Sequence, residues 1–151
     1  MPAVFTYGTL AVPAVMEAVT GRRFAEREAE LAGFARCRLR GRSYPAAVER
    51  AGARVAGRLY DAVDAATLAR LDRFEGPLYE RREVSVLLPA GGEARAEVYV
   101  LAASRRGELL DEPWDPAAFE RVELGAYVRS CAAFRARDEA RSAARSEPAQ
   151  R

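Results

Sequence analysis

Leu31-Ala32-Gly33-Phe34-Ala35-Arg36-Cys37-Arg38-Leu39-Arg40-Gly41 decides how the rest of the chain is read. Ala35, Cys37 and Leu39 fall on one face of it, and Arg36, Arg38 and Arg40 on the other. A period of two belongs to a pleated strand, whose successive side chains point to opposite sides. The stretch therefore reads as a half-buried strand, with the three arginines on a solvated face.

Working outward, the same grammar recurs. Val4 to Tyr7 is a short β-branched and aromatic run stopping at Gly8, a strand that ends in a turn. Pro13 opens a short helix through Val19, with Gly21 just past its end. On the other side, Val55 to Val63 has strand composition interrupted by Gly57, which marks a bulge or a close backbone approach. Ala65 to Phe74 carries Leu68, Leu71 and Phe74 at helical spacing and closes at Gly76. Tyr79 to Leu88 and Glu93 to Leu101 flank the turn Pro89-Ala90-Gly91-Gly92, which predicts a hairpin. Asp115 is a candidate N-cap with Pro116 at the first helical position. From there Phe119, Val122, Ala126, Ser130 and Phe134 predict one side of a long helix. Several short strands with few helices predict an α+β fold: a closed or nearly closed small β-barrel with a few short helices and a C-terminal helix. Regular strand–helix alternation, which a doubly wound sheet requires, is missing. The reading gives one domain over residues 1–134, with 135–151 a charged helix end or a disordered tail.

Half of the 151 residues are hydrophobic, enough for one domain with a real core. The net charge is +2, every basic residue is Arg, and Asp and Glu are interspersed throughout. A nucleic-acid binder would concentrate its positive charge in a patch or arm, so none is expected as a partner. With no His at all, Ser-His-Asp and Cys-His catalysis and His-based zinc sites drop out. Cys37 and Cys131 lie far apart and lack metal-ligand spacing, so no metal is expected. The N-terminal MPAVFTYG has no signal-peptide pattern, and no run approaches the ~20 apolar residues of a membrane span. Free thiols in such a chain predict a cytoplasmic protein without a membrane partner. No motif assigns an oligomeric state.

Three clusters could carry chemistry. At Tyr7-Gly8-Thr9-Leu10 a strand ends in a turn where glycine tolerates positive φ and backbone N–H groups can cradle a carboxylate. Val12 is a poor N-cap, which leaves those donors free. In Leu71-Asp72-Arg73-Phe74-Glu75-Gly76, two acids occupy a last helical turn, where the macrodipole disfavours negative charge and raises a carboxyl pKa. Such a broken local rule often marks a functional position. In Ser43-Tyr44-Pro45-Ala46, Tyr44 precedes a proline and is extended, either lining a pocket or capping a barrel end. Tyr99 lies opposite Val98 and Val100 on its strand, facing either a pocket or solvent.

In order, Tyr7-Gly8-Thr9-Leu10, Tyr44-Pro45-Ala46, Val55-Ala56-Gly57-Arg58-Leu59-Tyr60, Leu71 to Gly76 with Tyr79 and Arg81, and Val98-Tyr99-Val100 resemble the gamma-glutamylcyclotransferase-like superfamily. The likeness is strongest to its branch of AIG2-like proteins and gamma-glutamylamine cyclotransferase. That resemblance implies a small mixed β-barrel with a pocket at one end. It implies that Glu75 is the catalytic acid/base and that Tyr7, Gly8, Thr9, Leu10, Tyr44, Tyr79 and Tyr99 bind substrate. The implied reaction cyclises a gamma-glutamyl amine or amino acid to 5-oxoproline and frees the amine, without metal or cofactor. The implied partner is thus a small-molecule gamma-glutamyl substrate. The segment after residue 101 matches no motif of the family. Three rival readings remain open at this point: a non-catalytic barrel holding a small carboxylate, a hydrolase using Asp72 and Glu75 as a pair on one side of their helix, and an interaction module using the arginine strand.

Overall fold

The computed structural model describes residues 1–146. Six strands form one sheet: β1 (Val4–Thr6), β2 (Glu26–Leu39), β3 (Pro45–Tyr60), β4 (Tyr79–Leu87), β5 (Glu93–Leu101) and β6 (Leu109–Pro113). Their order is β3-β1-β5-β4-β2-β6, and β2 also pairs with β3, so five strands close into a barrel and β6 extends β2 outside the ring. β1 runs parallel to β5, and the other pairings are antiparallel, which makes the barrel mixed. Among the described residues four α-helices accompany it: α1 (Pro13–Thr20), α2 (Ala65–Glu75), α3 (Pro116–Val122) and α4 (Leu124–Ser146).

Both faces of the central strands are buried. Phe5, Leu59, Val98 and Val100 fill the barrel. Their neighbours Val4, Tyr60 and Tyr99 pack outward against Val15, Met16 and Val19 of α1 and Leu68 and Leu71 of α2. A strand buried on both sides reads as a continuous apolar run, which is why β1 shows no alternation. The β4–β5 hairpin pairs in register from Tyr79↔Leu101 to Leu87↔Glu93. Gly57 marks a close approach: a Cβ there would run into the Thr6 carbonyl oxygen.

β2 and β3 are longer than the sequence suggested. Glu26 to Glu30 is a strongly charged segment, yet only Ala29 among those five residues is buried. Arg58 pairs with Glu26 at 2.7 Å across the ladder, and Arg27 grips Asp61 just beyond it. The two strands bend where the register slips between Ala32 and Phe34, at Gly33 (φ 82°) opposite Gly52 (φ 81°). Only glycine adopts such angles without cost.

The C-terminal helix is not continuous. It is interrupted at Glu123, and beyond it the buried stripe runs through Leu124, Tyr127, Val128, Cys131 and Phe134. Val122, expected inside, is 76% exposed, and Ala126 and Ser130 also face water. Residues 135–146 continue α4, and Asp138 within them is buried. The expected solvated helix end therefore carries an anchor; residues 147–151 of the expected tail lie outside the described residues. Cys37 and Cys131 are buried free thiols. Among the described residues no helix is long and apolar enough to cross a membrane.

Candidate functional site

α2 is built to deliver one carboxylate inward. Asp64 caps its start, accepting from the Thr67 amide at 2.8 Å. Leu68 and Leu71 form its buried stripe. Glu75 follows Leu71 by four residues and Leu68 by seven, so it continues the apolar stripe rather than the solvated face. Gly76 (φ 64°) then turns the chain, its amide bonding back to the Asp72 carbonyl. Asp72 does not share this fate. It binds Arg81 through both oxygens (2.9 and 3.2 Å) and accepts from the Tyr99 hydroxyl at 2.6 Å. The two acids do not form the pair that their spacing suggested, because one is tied to Arg81 while the other lines a cavity.

That cavity, of about 400 Å³, opens where β1 leaves the barrel and β4 enters it. All eight residues singled out from the sequence line it: Glu75, Tyr7, Gly8, Thr9, Leu10, Tyr44, Tyr79 and Tyr99. Arg42, Arg105 and Tyr127 line it too, and the sequence reading missed them. Tyr127 comes from α4, and Arg42 and Arg105 sit in short connections without periodicity. Only the spacing of Phe119, Glu123 and Tyr127 at successive fours hinted at any of them.

The tyrosines mostly hold the walls. Tyr7 donates to the Tyr99 carbonyl at 2.5 Å and accepts from the Ala47 amide at 3.1 Å. Tyr79 donates to the Pro45 carbonyl at 2.6 Å. Tyr60, outside the cavity, donates to the Leu10 carbonyl at 2.8 Å and so fixes the loop after β1. Arg36, expected in solvent, instead donates to the Tyr7 carbonyl at 2.9 Å, with its guanidinium 5.4 Å from the Trp114 ring centre. Tyr99 is buried and lines the cavity, not facing solvent.

Gly8 has φ −120°, so positive φ is not the reason for glycine. A Cβ there would lie 2.9 Å from Cγ of Pro45, and this contact packs the first cluster of the sequence against the third. The amides of Gly8, Thr9 and Leu10 form no hydrogen bond among the described residues, and no side chain caps the short 3-10 turn Thr9–Ala11 that follows.

Glu75 also has no hydrogen-bond or ion-pair partner among the described residues. It keeps partial exposure through the cavity, yet the surrounding protein desolvates its carboxyl and pushes the pKa up to about 8. Burial likewise pushes Tyr7, Tyr79, Tyr99 and Tyr127 upward, with the charge of Glu75 adding to each, so these phenols stay protonated. Among the described residues no group of three or more metal-ligating side chains is assembled.

The family described as Gamma-glutamyl cyclotransferase, AIG2-like, matches residues 4–116. The chain belongs to this family. AIG2-like protein C of Arabidopsis thaliana is 34% identical over 132 residues, covering 87% of this chain and 76% of that one. AIG2-like protein A of the same plant is 36% identical over 128 residues, covering 84% and 77%. A solution structure of an Arabidopsis thaliana protein superposes with a TM-score of 0.67 at 27% identity, covering 85% of this chain and 87% of that one. A structure named gamma-glutamyl cyclotransferase superposes with a TM-score of 0.61 at 18% identity, covering 67% and 66%, a likeness of fold. The family match spans every cavity residue except Tyr127, which α4 supplies from beyond it.

Proposed function

We propose that this member of the AIG2-like family cyclises a gamma-glutamyl amine or gamma-glutamyl amino acid to 5-oxoproline, with Glu75 as the general acid/base. The observation that carries the reading is an unpartnered carboxylate, with a pKa near 8, in a cavity whose other wall is a loop of free amides. The substrate's α-amine arrives as an ammonium and must lose a proton before it can attack. A carboxylate whose pKa is raised towards the working pH takes that proton with a smaller energetic mismatch than one in the ordinary range. The ammonium itself, once close, favours the ionised carboxylate.

The freed amine nitrogen then attacks the γ-carbonyl carbon and closes a five-membered ring. The carbonyl oxygen gains negative charge, Glu75 returns its proton to the leaving nitrogen as that bond breaks and the carbonyl re-forms, and the second hydrogen still on the ring nitrogen passes through the same carboxylate to the released amine, which departs as an ammonium. Both reacting groups belong to one molecule, so orientation replaces much of the barrier. The amides of Gly8, Thr9 and Leu10 are available for the substrate carboxylate or the developing oxyanion. Thr9 Oγ1 and the Tyr127 hydroxyl lie 3.1 Å apart, and between them one hydroxyl hydrogen lacks an acceptor among the described residues. It is a further donor for the same purpose. The tied hydroxyls of Tyr7 and Tyr79 support roles as walls.

The test is 5-oxoproline release from a panel of gamma-glutamyl amines and amino acids by wild type and Glu75→Gln. Wild type should release it, and Glu75→Gln should lose at least about a hundredfold in turnover. Binding of those ligands without any release by wild type would leave a carboxylate-binding barrel and end the catalytic reading.

A further inference from the structure

We propose that the mouth of the cavity is a second anion site, built from Arg42 and Arg105, that selects substrates whose leaving amine carries a carboxylate. The inference rests on the reaction proposed above and adds which class of amine it releases. Among the described residues, the charged side chains lining the cavity are Glu75, Arg42 and Arg105. The two arginines share one carboxylate. Arg42 reaches Glu108 Oε1 through Nε and Nη2 at 3.2 and 2.9 Å, and Arg105 reaches Oε2 through Nη1 at 3.0 Å. Two cations on one anion leave a net positive charge at the mouth.

Arg42 is also fixed by the Tyr44 hydroxyl at 2.7 Å, so its guanidinium is held in place. Nε and Nη2 of Arg105 have no partner among the described residues, and a guanidinium offers such paired donors in a geometry that suits a carboxylate. Tyr44 and Tyr127, with ring centres 6.4 Å apart in an edge-on contact, line the same cavity.

The mouth is electrically separate from the base. A guanidinium within ~4–6 Å of a carboxylate would pull its pKa down. Glu75 instead rises through desolvation, and the groups felt by Arg42 are Tyr44 and Glu108. The cavity thus holds, apart from each other, a carboxyl that an arriving ammonium can ionise and a positive cluster at Arg42 and Arg105. A gamma-glutamyl α-amino acid has the matching order of charges, with its ammonium at the reacting end and a carboxylate on the leaving amine.

Gamma-glutamylalanine and gamma-glutamylethylamine differ only in that carboxylate and are the probes. Wild type should prefer gamma-glutamylalanine by at least about tenfold in kcat/KM, mostly through KM, as a charge-assisted hydrogen bond would give. Arg105→Gln should bring the ratio towards one. Arg106→Gln, exposed on the same turn and outside the cavity lining, should keep it. Calorimetric titration of the Glu75→Gln protein with both probes reads the same preference without chemistry. A preference seen there while wild type releases no 5-oxoproline would support the anion site and end the proposed reaction instead. A wild-type ratio near one, equal affinities in the titration, or an Arg105→Gln loss identical for both probes would overturn the proposal; the last would place the glutamyl carboxylate on Arg105.

Discussion

Two desolvated carboxyl groups lie at α2, and their surroundings differ in kind. Asp138, 1% exposed, comes from α4 and accepts from Arg73 Nε and Nη2 at 2.7 and 2.8 Å and from Arg70 Nε at 2.9 Å. The Arg73 hydrogen bond above all, then Arg70, holds its pKa well below the ordinary carboxylate range despite desolvation. Glu75, at the end of α2, has neither arginine nor amide, and desolvation alone pushes it up to about 8. Desolvation is common to both, so desolvation by itself does not mark the reactive group. What differs is the set of partners: Asp138 is satisfied and ties α4 to α2, whereas Glu75 has its charge unanswered until a ligand arrives.

The largest expected effect contrasts the two directly. Glu75→Gln should lose at least about a hundredfold in turnover while its melting temperature holds or rises, since an unpaired buried charge is removed. Asp138→Asn should do the reverse, keeping turnover per folded molecule. If both substitutions impair turnover equally at full folding, the contrast collapses.

Next in size is the stability cost of Asp138→Asn. Removing one partner from a fully buried pair costs ~3–5 kcal/mol, and because Arg73 still touches water the expected loss here is roughly 1–3 kcal/mol. Urea unfolding measures it, and an unchanged midpoint would show that the clamp is not structural.

The pH dependence has opposite signs at the two sites. The raised Glu75 pKa means that the native state binds more protons than the unfolded one between its ordinary value of 4.5 and about 8. Stability should therefore fall as pH rises through that window, and Glu75→Gln should flatten the fall. The depressed Asp138 pKa contributes stability that is present above its ordinary value of 3.8 and lost as pH falls below it. Asp138→Asn should flatten that acid limb. In parallel, wild-type kcat/KM should rise with pH through about 8 as Glu75 ionises. A profile flat from pH 6 to 9 would count against Glu75 as the base.

The smallest effect belongs to Asp72, which lies on the same helical turn as Glu75 but is paired and partly exposed. Asp72→Asn keeps an acceptor for the Tyr99 hydroxyl and gives up a pair worth at most ~1 kcal/mol. Turnover should change by no more than about fivefold. A loss comparable to that of Glu75→Gln would make Asp72 a second participant.

The sequence by itself determined the local elements whose cause is local. The β4–β5 hairpin follows from its Pro-Ala-Gly-Gly turn, the Gly21 and Gly76 caps from their left-handed backbone, and the starts of α2 and α3 from Asp64 and Asp115. The electrostatic preference of a helix C-terminus flagged Asp72 and Glu75 alike, and only the family resemblance singled out Glu75. Tertiary structure alone decided the matters that depend on residues distant in the chain. Packing of α4 against α1 and α2 set which of its faces is buried, and so brought Tyr127 to the cavity and Asp138 to two arginines more than sixty residues earlier. Cross-strand pairing made a strand of Glu26–Glu30, whose charges conceal its alternation. The contact with Pro45 explains Gly8, and the Tyr7 carbonyl took Arg36 out of solvent. Above all, Asp72 and Glu75 look alike along one helical turn. Arg81 and Tyr99, supplied by the neighbouring strands β4 and β5, neutralise the first and leave the second exposed to chemistry. A carboxylate's role is set by which partners reach it through space, and periodicity along a chain carries no record of them.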